Sequence, residues 1–318
     1  MTIAVTDIRG ITVGSCENMR ALTGCTVILA GNEGAVCGVD VRGAAPGTRE
    51  TDLLNPVNMI EKAHAILLSG GSAYGLDAAG GVMRFLEEKG IGYKSGAVII
   101  PIVPGAVIFD LAVGDSRIRP DSEMGYRACQ KAGVKIEEGN VGAGTGATVG
   151  KIKGYDWCTK SGLGTYAMAL ENGLIVGAVM AVNALGDVCD RRGKIIAGVR
   201  GDDGCEEFPG TVQVWKALKG KISPAPGSNT TIGVVVCNAR LNKNQATKVA
   251  QMAHNGMARV INPVHTMFDG DTIFVLATGE KEADVNVVGY MAQEAVAEAI
   301  IRSVQKAVSV QGYKAAIN

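Results

Sequence analysis

A hydroxyl residue stands where a turn-rich segment gives way to a strongly β-forming run. Pro224-Ala-Pro-Gly-Ser-Asn229 leads into Thr230-Thr-Ile-Gly-Val-Val-Val-Cys-Asn-Ala239. As a bare pattern this is a turn entering a strand. It is also the arrangement that an N-terminal nucleophile requires. A threonine at the first position of a central strand is held rigidly. If the Asn229–Thr230 peptide is cut, the new α-amine titrates near ~7.7–8.0 and can serve as the base for its own hydroxyl. Such a site needs neither a histidine nor a metal. Thr231 belongs on the opposite face of the strand, because side chains alternate; Ser228 is the other local hydroxyl.

Three further constellations compete for attention. Gly142-Ala-Gly-Thr-Gly-Ala147 matches the dinucleotide fingerprint, but a strand should precede it and a helix follow. Here Glu137-Glu-Gly-Asn140 precedes and Lys151-Ile-Lys-Gly154 follows, so a loop whose backbone closely approaches another chain segment or a substrate is the better reading. Gly70-Gly-Ser-Ala-Tyr-Gly75 lies where a nucleophile elbow would, but Tyr74 takes the second glycine's place, and a tight strand-to-helix turn explains it. Asp269-Gly-Asp271 lacks the further acids of a calcium loop. Those two carboxylates either orient a neighbouring donor or are solvated turn acids. No cofactor is implied.

The elements that would position these residues are legible in outline. Residues 26–30 and 34–41 read as strands. Residues 63–69 form an apolar strand that runs through the glycine turn into a helix ending near Glu88, and residues 97–111 read as a buried strand pair around Pro101 and Pro104. Helices are predicted over 121–132, 243–260 and 283–310, with Val249, Met252, Gly256, Met257 and Val260 on one face of the second. Strands are predicted at 164–170, 174–182, 230–239 and 272–277, and residues 190–228 read as a linker. Many strands come as adjacent pairs without an intervening helix, which favours stacked sheets with helices outside over a single parallel sheet.

Composition narrows the function. The 318 residues include 31 Lys+Arg and 31 Asp+Glu, so no basic excess points to nucleic acid. The 44 glycines suit close backbone packing. The eight cysteines form no Cys-x-x-Cys pair and the three histidines are dispersed, so zinc ribbons and metal clusters are not expected; buried thiols in a reducing cytoplasm are. No signal peptide is read at the start, and no apolar run reaches the ~18 residues of a membrane span.

Taken in order, the motifs resemble the L-aminopeptidase/D-esterase family, which includes β-peptidyl aminopeptidases and 6-aminohexanoate-oligomer endohydrolases. The similarity is carried by Arg42-Gly43, Pro46-Gly-Thr-Arg-Glu50, Leu68-Ser-Gly-Gly-Ser-Ala-Tyr-Gly-Leu-Asp77, Pro101-Ile-Val-Pro104, Phe109-Asp-Leu111, the 142–147 glycine run, Val182-Asn-Ala184, Asn229-Thr-Thr231 and Pro263-Val-His-Thr266 with Asp269-Gly-Asp271. It implies an αββα sandwich of stacked sheets with helices on both outer faces, of the N-terminal-nucleophile type. It implies one domain, 1–318, that cuts itself into 1–229 and 230–318. By match to the oligomer-hydrolase branch, Thr230 is the nucleophile, Asn183 gives its amide to the oxyanion, Lys153 sits beside the nucleophile, and Asp269 and Asp271 support it. The aminopeptidase branch typically starts its small chain with Ser and carries Ser-Gly-Glu where this chain has Asp-Gly-Asp. The implied substrates are amino acid amides, short peptides or amino-acid-oligomer amides; the implied assembly is a homo-oligomer, with a tetramer as the form the resemblance suggests. An acyltransferase of the ornithine acetyltransferase type and an unprocessed binding protein are the alternatives.

Overall fold

The computed structural model describes residues 3–201, 208–219 and 229–316. Of the segment read as linker, residues 202–207, with Cys205 of the eight cysteines, and 220–228, with Pro224 to Ser228, lie outside the described residues. Two large sheets carry the architecture. Their strands in chain order are β1 (Ile11–Asn18), β2 (Thr23–Ala30), β3 (Ala35–Val41), β4 (Thr48–Arg49), β5 (Lys62–Ala63), β6 (Ala65–Ser69), β7 (Gly105–Val107), β8 (Leu163–Ala169), β9 (Ile175–Asn183), β10 (Thr230–Ala239) and β11 (Thr272–Lys281). The first sheet runs β1-β2-β6-β7-β4 and the second β8-β9-β10-β11-β3-β5.

Side-chain alternation explains the stacking. In β10, Ile232, Val234 and Val236 join a core shared with Ile28, Ile66 and Leu68 of the first sheet, whereas Val235 and Cys237 face away. On that outer face lie α4 (Lys243–Val260) and α5 (Val285–Gln305), which bury Val249, Met257, Met291 and Ala295 against it. The outer face of the first sheet, through Val27 and Leu67, is covered by α1 (Ala78–Glu88) and α2 (Ser122–Gln130). The αββα order expected from the resemblance is therefore the observed one. A shorter helix, α3 (Thr211–Ala217), lies in the segment read as linker.

The long helices begin where side chains satisfy their first amides. Asp121 accepts from the Met124 amide (2.8 Å), Asp284 accepts from the Asn286 amide (2.7 Å), and Asn242 and Gln245 form a reciprocal capping box. The glycine richness also has a physical cause. A Cβ on Gly14, Gly38 or Gly164 would come within 2.0–2.4 Å of backbone atoms of α2, α4 or α5, so bare strand positions let these helices sit close.

Three local expectations differ from the structure. Val98–Ile100 pairs with Tyr93–Ser95 in an exposed ribbon; only the second half of the segment enters the buried sheet, as β7. β1 was not singled out, because Gly14, Ser15 and Glu17 blur its apolar pattern. The last helix ends at Gln305, five residues short of the predicted limit. Among the described residues, no helix is long and apolar enough to cross a membrane.

Candidate active site

The site forms where β9 ends beside the start of β10. Asn183 and Thr230 are register partners across this antiparallel pair. The parity that puts Ile232 and Val234 between the sheets puts Thr230 there too; Val179 and Ala181 give Asn183 the same side. Thr231 falls on the other face. Asn229, Thr230 and Asn183 are all buried.

The Thr230 hydroxyl donates to the carbonyl oxygen of Asn229, the residue just before it. That oxygen also accepts the backbone N–H of Gly270 at 3.0 Å. The nucleophile candidate and the peptide it would cut are thus already together, and the carbonyl already has a donor.

The Asp269-Gly-Asp271 turn holds this junction in place. Asp271 accepts the Thr231 N–H on one oxygen (2.7 Å) and His265 on the other, from its backbone (3.1 Å) and from ring Nδ1 (2.8 Å). Asp269 accepts the Thr266 N–H (2.9 Å) and hydroxyl (2.5 Å), and the Leu185 N–H at 3.4 Å. Both carboxylates are buried, so they are fixed acceptors rather than solvated turn acids. Burial raises the pKa of Asp269, and the charge of Asp271 beside it adds to the rise. The 42–50 loop closes over the turn: Arg42 and Gly43 donate to the Asp271 carbonyl and Ala45 to that of Asp269.

Gly270 has no room for a side chain. A Cβ there would lie 2.7 Å from the Ala45 oxygen, 2.8 Å from Thr230 Oγ1 and 3.1 Å from Pro46 Cα. Two of these three neighbours are backbone and cannot swing aside. Gly270→Ala is therefore expected to displace the hydroxyl and slow any chemistry that it performs by roughly 10²-fold, the scale of a 1 Å misplacement. A gel time course of chain cleavage measures this, and cleavage at the wild-type rate would contradict it.

Asn183 is oriented without ambiguity. Its Oδ1 accepts the Thr148 N–H (3.1 Å) and Lys151 Nζ (2.8 Å), and its Nδ2 donates to the Phe109 carbonyl (3.0 Å). The lysine on Asn183 is Lys151. Lys153, the lysine named from the resemblance, has its Nζ 3.8 Å from the centre of the Trp157 ring, a cation–π contact. Burial lowers the pKa of Lys151 from 10.5 to about 7.

Behind Asn183, Asp110 accepts Thr23 Oγ1 and the Gly71 N–H, both at 2.7 Å, and burial pushes its pKa up to about 6. Gly70 and Gly71 thereby form a buried turn that passes through the half-buried Ser72, at φ 52°, and on through Ser72–Asp77 into α1. The 142–147 glycine run is buried as well; its Gly144 and Ala147 carbonyls accept from Lys160 Nζ at 3.1 and 3.0 Å. It packs against protein, with no strand before and no helix after.

The Thr230, Asn183, Asp269 and Asp271 expected from the resemblance thus lie in one buried constellation. Lys151, His265, Thr148, Phe109 and Gly270 were not singled out. His265 had a signal, because it lies in the motif string that ends at Asp271. Lys151 had none that separates it from Lys153: both belong to one Lys-Ile-Lys triplet.

Comparison with known proteins decides the family. The profile of peptidase family S58 matches residues 4–317. The chain belongs to peptidase family S58. An uncharacterized aminopeptidase of Mycobacterium leprae, ML1167, is 43% identical over 97% of this chain and 92% of its own. A 6-aminohexanoate-oligomer endohydrolase of Kocuria sp. is 33% identical over 86% of this chain and 74% of its own. The L-aminopeptidase D-Ala-esterase/amidase of Ochrobactrum anthropi, a variant of the Ntn-hydrolase fold, superposes with a TM-score of 0.72 at 18% identity, covering 99% of this chain and 91% of that one. As an S58 member with this fold, the chain is a hydrolase of peptide or amide bonds.

Proposed function

We propose that this S58 hydrolase cuts itself between Asn229 and Thr230 and then uses Thr230 as an N-terminal nucleophile. Its substrates on this reading are amino acid amides, short peptides or amino-acid-oligomer amides. The observation that carries the proposal is the hydrogen bond from the Thr230 hydroxyl to the Asn229 carbonyl, buried at the mouth of β10.

In the precursor, Thr230 Oγ1 attacks the Asn229 carbonyl carbon. The C–N bond breaks, the hydroxyl proton passes to the Thr230 nitrogen, and an ester links Asn229 to Oγ1. The Gly270 N–H meets the negative oxygen of this step. Water then hydrolyses the ester, leaving a carboxylate on Asn229 and a free amine and hydroxyl on Thr230. In turnover, the amine takes the hydroxyl proton, Oγ1 attacks the substrate amide, and the amine portion leaves with a proton. Water releases the acyl group. Asn183 Nδ2 faces the oxyanion of these steps. Asp269 and Asp271 hold the junction through Thr231 and Leu185, and Lys153, in cation–π contact with Trp157, is the lysine that the resemblance puts beside the nucleophile. The relatives named aminopeptidase and 6-aminohexanoate-oligomer endohydrolase support the substrate range. The proposal takes the cytoplasm as compartment, in keeping with seven buried free thiols among the described residues, and a homo-oligomer as assembly.

N-terminal sequencing of purified, aged protein tests the first half. A second start at Thr-Thr-Ile-Gly is the expected result. A chain that stays whole through prolonged incubation while hydrolysing amides overturns the reading.

A further inference from the structure

Lys151 is only 4% exposed, an unusual place for an ammonium. Its Nζ has three acceptors: Asn183 Oδ1 and the Asn183 carbonyl, both at 2.8 Å, and the Thr148 carbonyl at 3.2 Å. A lysine ammonium has three protons to donate, so the protonated form is fully engaged. Two of the three bonds go to Asn183. Because a lysine only donates when charged, its contact with Oδ1 fixes which end of the Asn183 amide is oxygen. Nδ2 is then turned to the Phe109 side.

We propose that Lys151 is the positioning residue of the amide hydrolysis, acting through Asn183. Its charge on Oδ1 locks the amide and polarises it, which makes the Nδ2–H a stronger donor to the oxyanion. This inference rests on the reading of Asn183 as oxyanion donor. Lys151 does not touch the reacting atoms itself.

The titratable groups that face Lys151 come from several segments. Cys158 lies beside it; Asp269 and Asp271 approach from the turn before β11, and Asp110 from behind Asn183. The carboxylates favour the ammonium, whereas Cys158, whose thiol burial pushes above its ordinary value, is uncharged near neutrality; burial of Lys151 opposes its charge more strongly and brings its titration to about 7. The sign follows directly. The Thr230 amine must be deprotonated to act as base, which gives a rate that rises with pH. Lys151 must be protonated to polarise Asn183, which gives a limb that falls as pH rises through its titration. The product is a bell-shaped profile whose falling limb belongs to Lys151.

The test measures kcat against pH on an aminoacyl p-nitroanilide with full-length wild type, Lys151→Met, Lys151→Arg and Asn183→Ala, each checked for native circular dichroism. Lys151→Met is expected to lose roughly tenfold or more in kcat, the scale for groups that orient a reacting one, together with the falling limb. Lys151→Arg keeps a charge that does not titrate below pH 12, so it is expected to retain most of the rate and to lack the falling limb. If Lys151→Met does not fold or stays uncut, the Lys151→Arg profile decides. A falling limb unmoved in Lys151→Arg, or absent in wild type, overturns the proposal, as does a folded Lys151→Met with wild-type kcat and profile. Asn183→Ala separates the two levels. If it hydrolyses at the wild-type rate, the underlying role of Asn183 fails. If it is impaired while Lys151→Met is not, only the present inference fails.

Discussion

A Thr230→Ala chain is expected to remain one 318-residue polypeptide and to hydrolyse no amide above background, a loss of about 10⁴-fold or more, as when a covalent nucleophile is removed. The fold should survive the change. In the structure the Thr230 side chain makes one hydrogen bond, to the carbonyl of its own neighbour, and its loss costs about 1 kcal/mol. The strand is anchored elsewhere, by the Thr231 amide on Asp271 and by Ile232 and Val234 in the inter-sheet core. Thermal melting close to wild type with no cleavage would assign the whole effect to the hydroxyl. Thr230→Ser keeps the hydroxyl and removes the methyl that restricts χ1. It is expected to cut itself, only more slowly. A Thr230→Ala chain that is cut at the same bond, or that retains activity uncut, would sink the nucleophile assignment. Thr231 cannot substitute, because its side chain falls on the face turned toward the helices.

How far the sequence reaches is visible in the same residues. β10 was readable because a run with seven β-forming residues follows a Pro/Gly/Ser segment, and strand alternation alone separates Thr230 from Thr231. The long helices were readable from apolar spacing; the caps Asp121 and Asn242 that start two of them emerge only in the structure. Less legible were contacts set by chain segments far apart in sequence. That Asn183 lies opposite Thr230 depends on β9 pairing with β10 across a 47-residue separation, since 230 − 183 = 47; only the family resemblance suggested it. Whether Lys151 or Lys153 reaches Asn183 depends on how the chain turns between Val149 and Thr159, where glycines and short bends leave no periodicity to read. α3 was hidden in a charged, glycine-rich segment; its first amide and hydroxyl bind the buried Asp187 carboxylate, a partner 24 residues earlier that no local pattern announces.

Self-cleavage and turnover should depend differently on Asn183, and this separation is the second large effect. In the uncut chain the Asn229 carbonyl takes its hydrogen bond from the Gly270 backbone, while Asn183 Nδ2 is engaged with the Phe109 carbonyl. The oxyanion of self-cleavage therefore has a donor that no side-chain substitution removes. The oxyanion formed on an incoming substrate instead uses Asn183. Asn183→Ala is accordingly expected to lose about 10²–10³-fold in kcat on a small amide, the usual loss for one such donor, while still separating into its two chains at a rate within about tenfold of wild type. A stability loss will accompany it. The Thr148 amide, Lys151 and the Phe109 carbonyl all lose a buried partner, at a typical cost of about 1–3 kcal/mol for each group left unsatisfied. Asn183→Asp distinguishes that loss from the catalytic one. It keeps an oxygen for Thr148 and Lys151 but sets a second acceptor against the Phe109 carbonyl, so it should rescue part of the stability and none of the turnover. Quantifying both reactions in each variant, by intact mass and by amide hydrolysis, checks the separation. Equal losses in the two reactions would mean that Asn183 serves both oxyanions and that the Gly270 amide is not sufficient for the first.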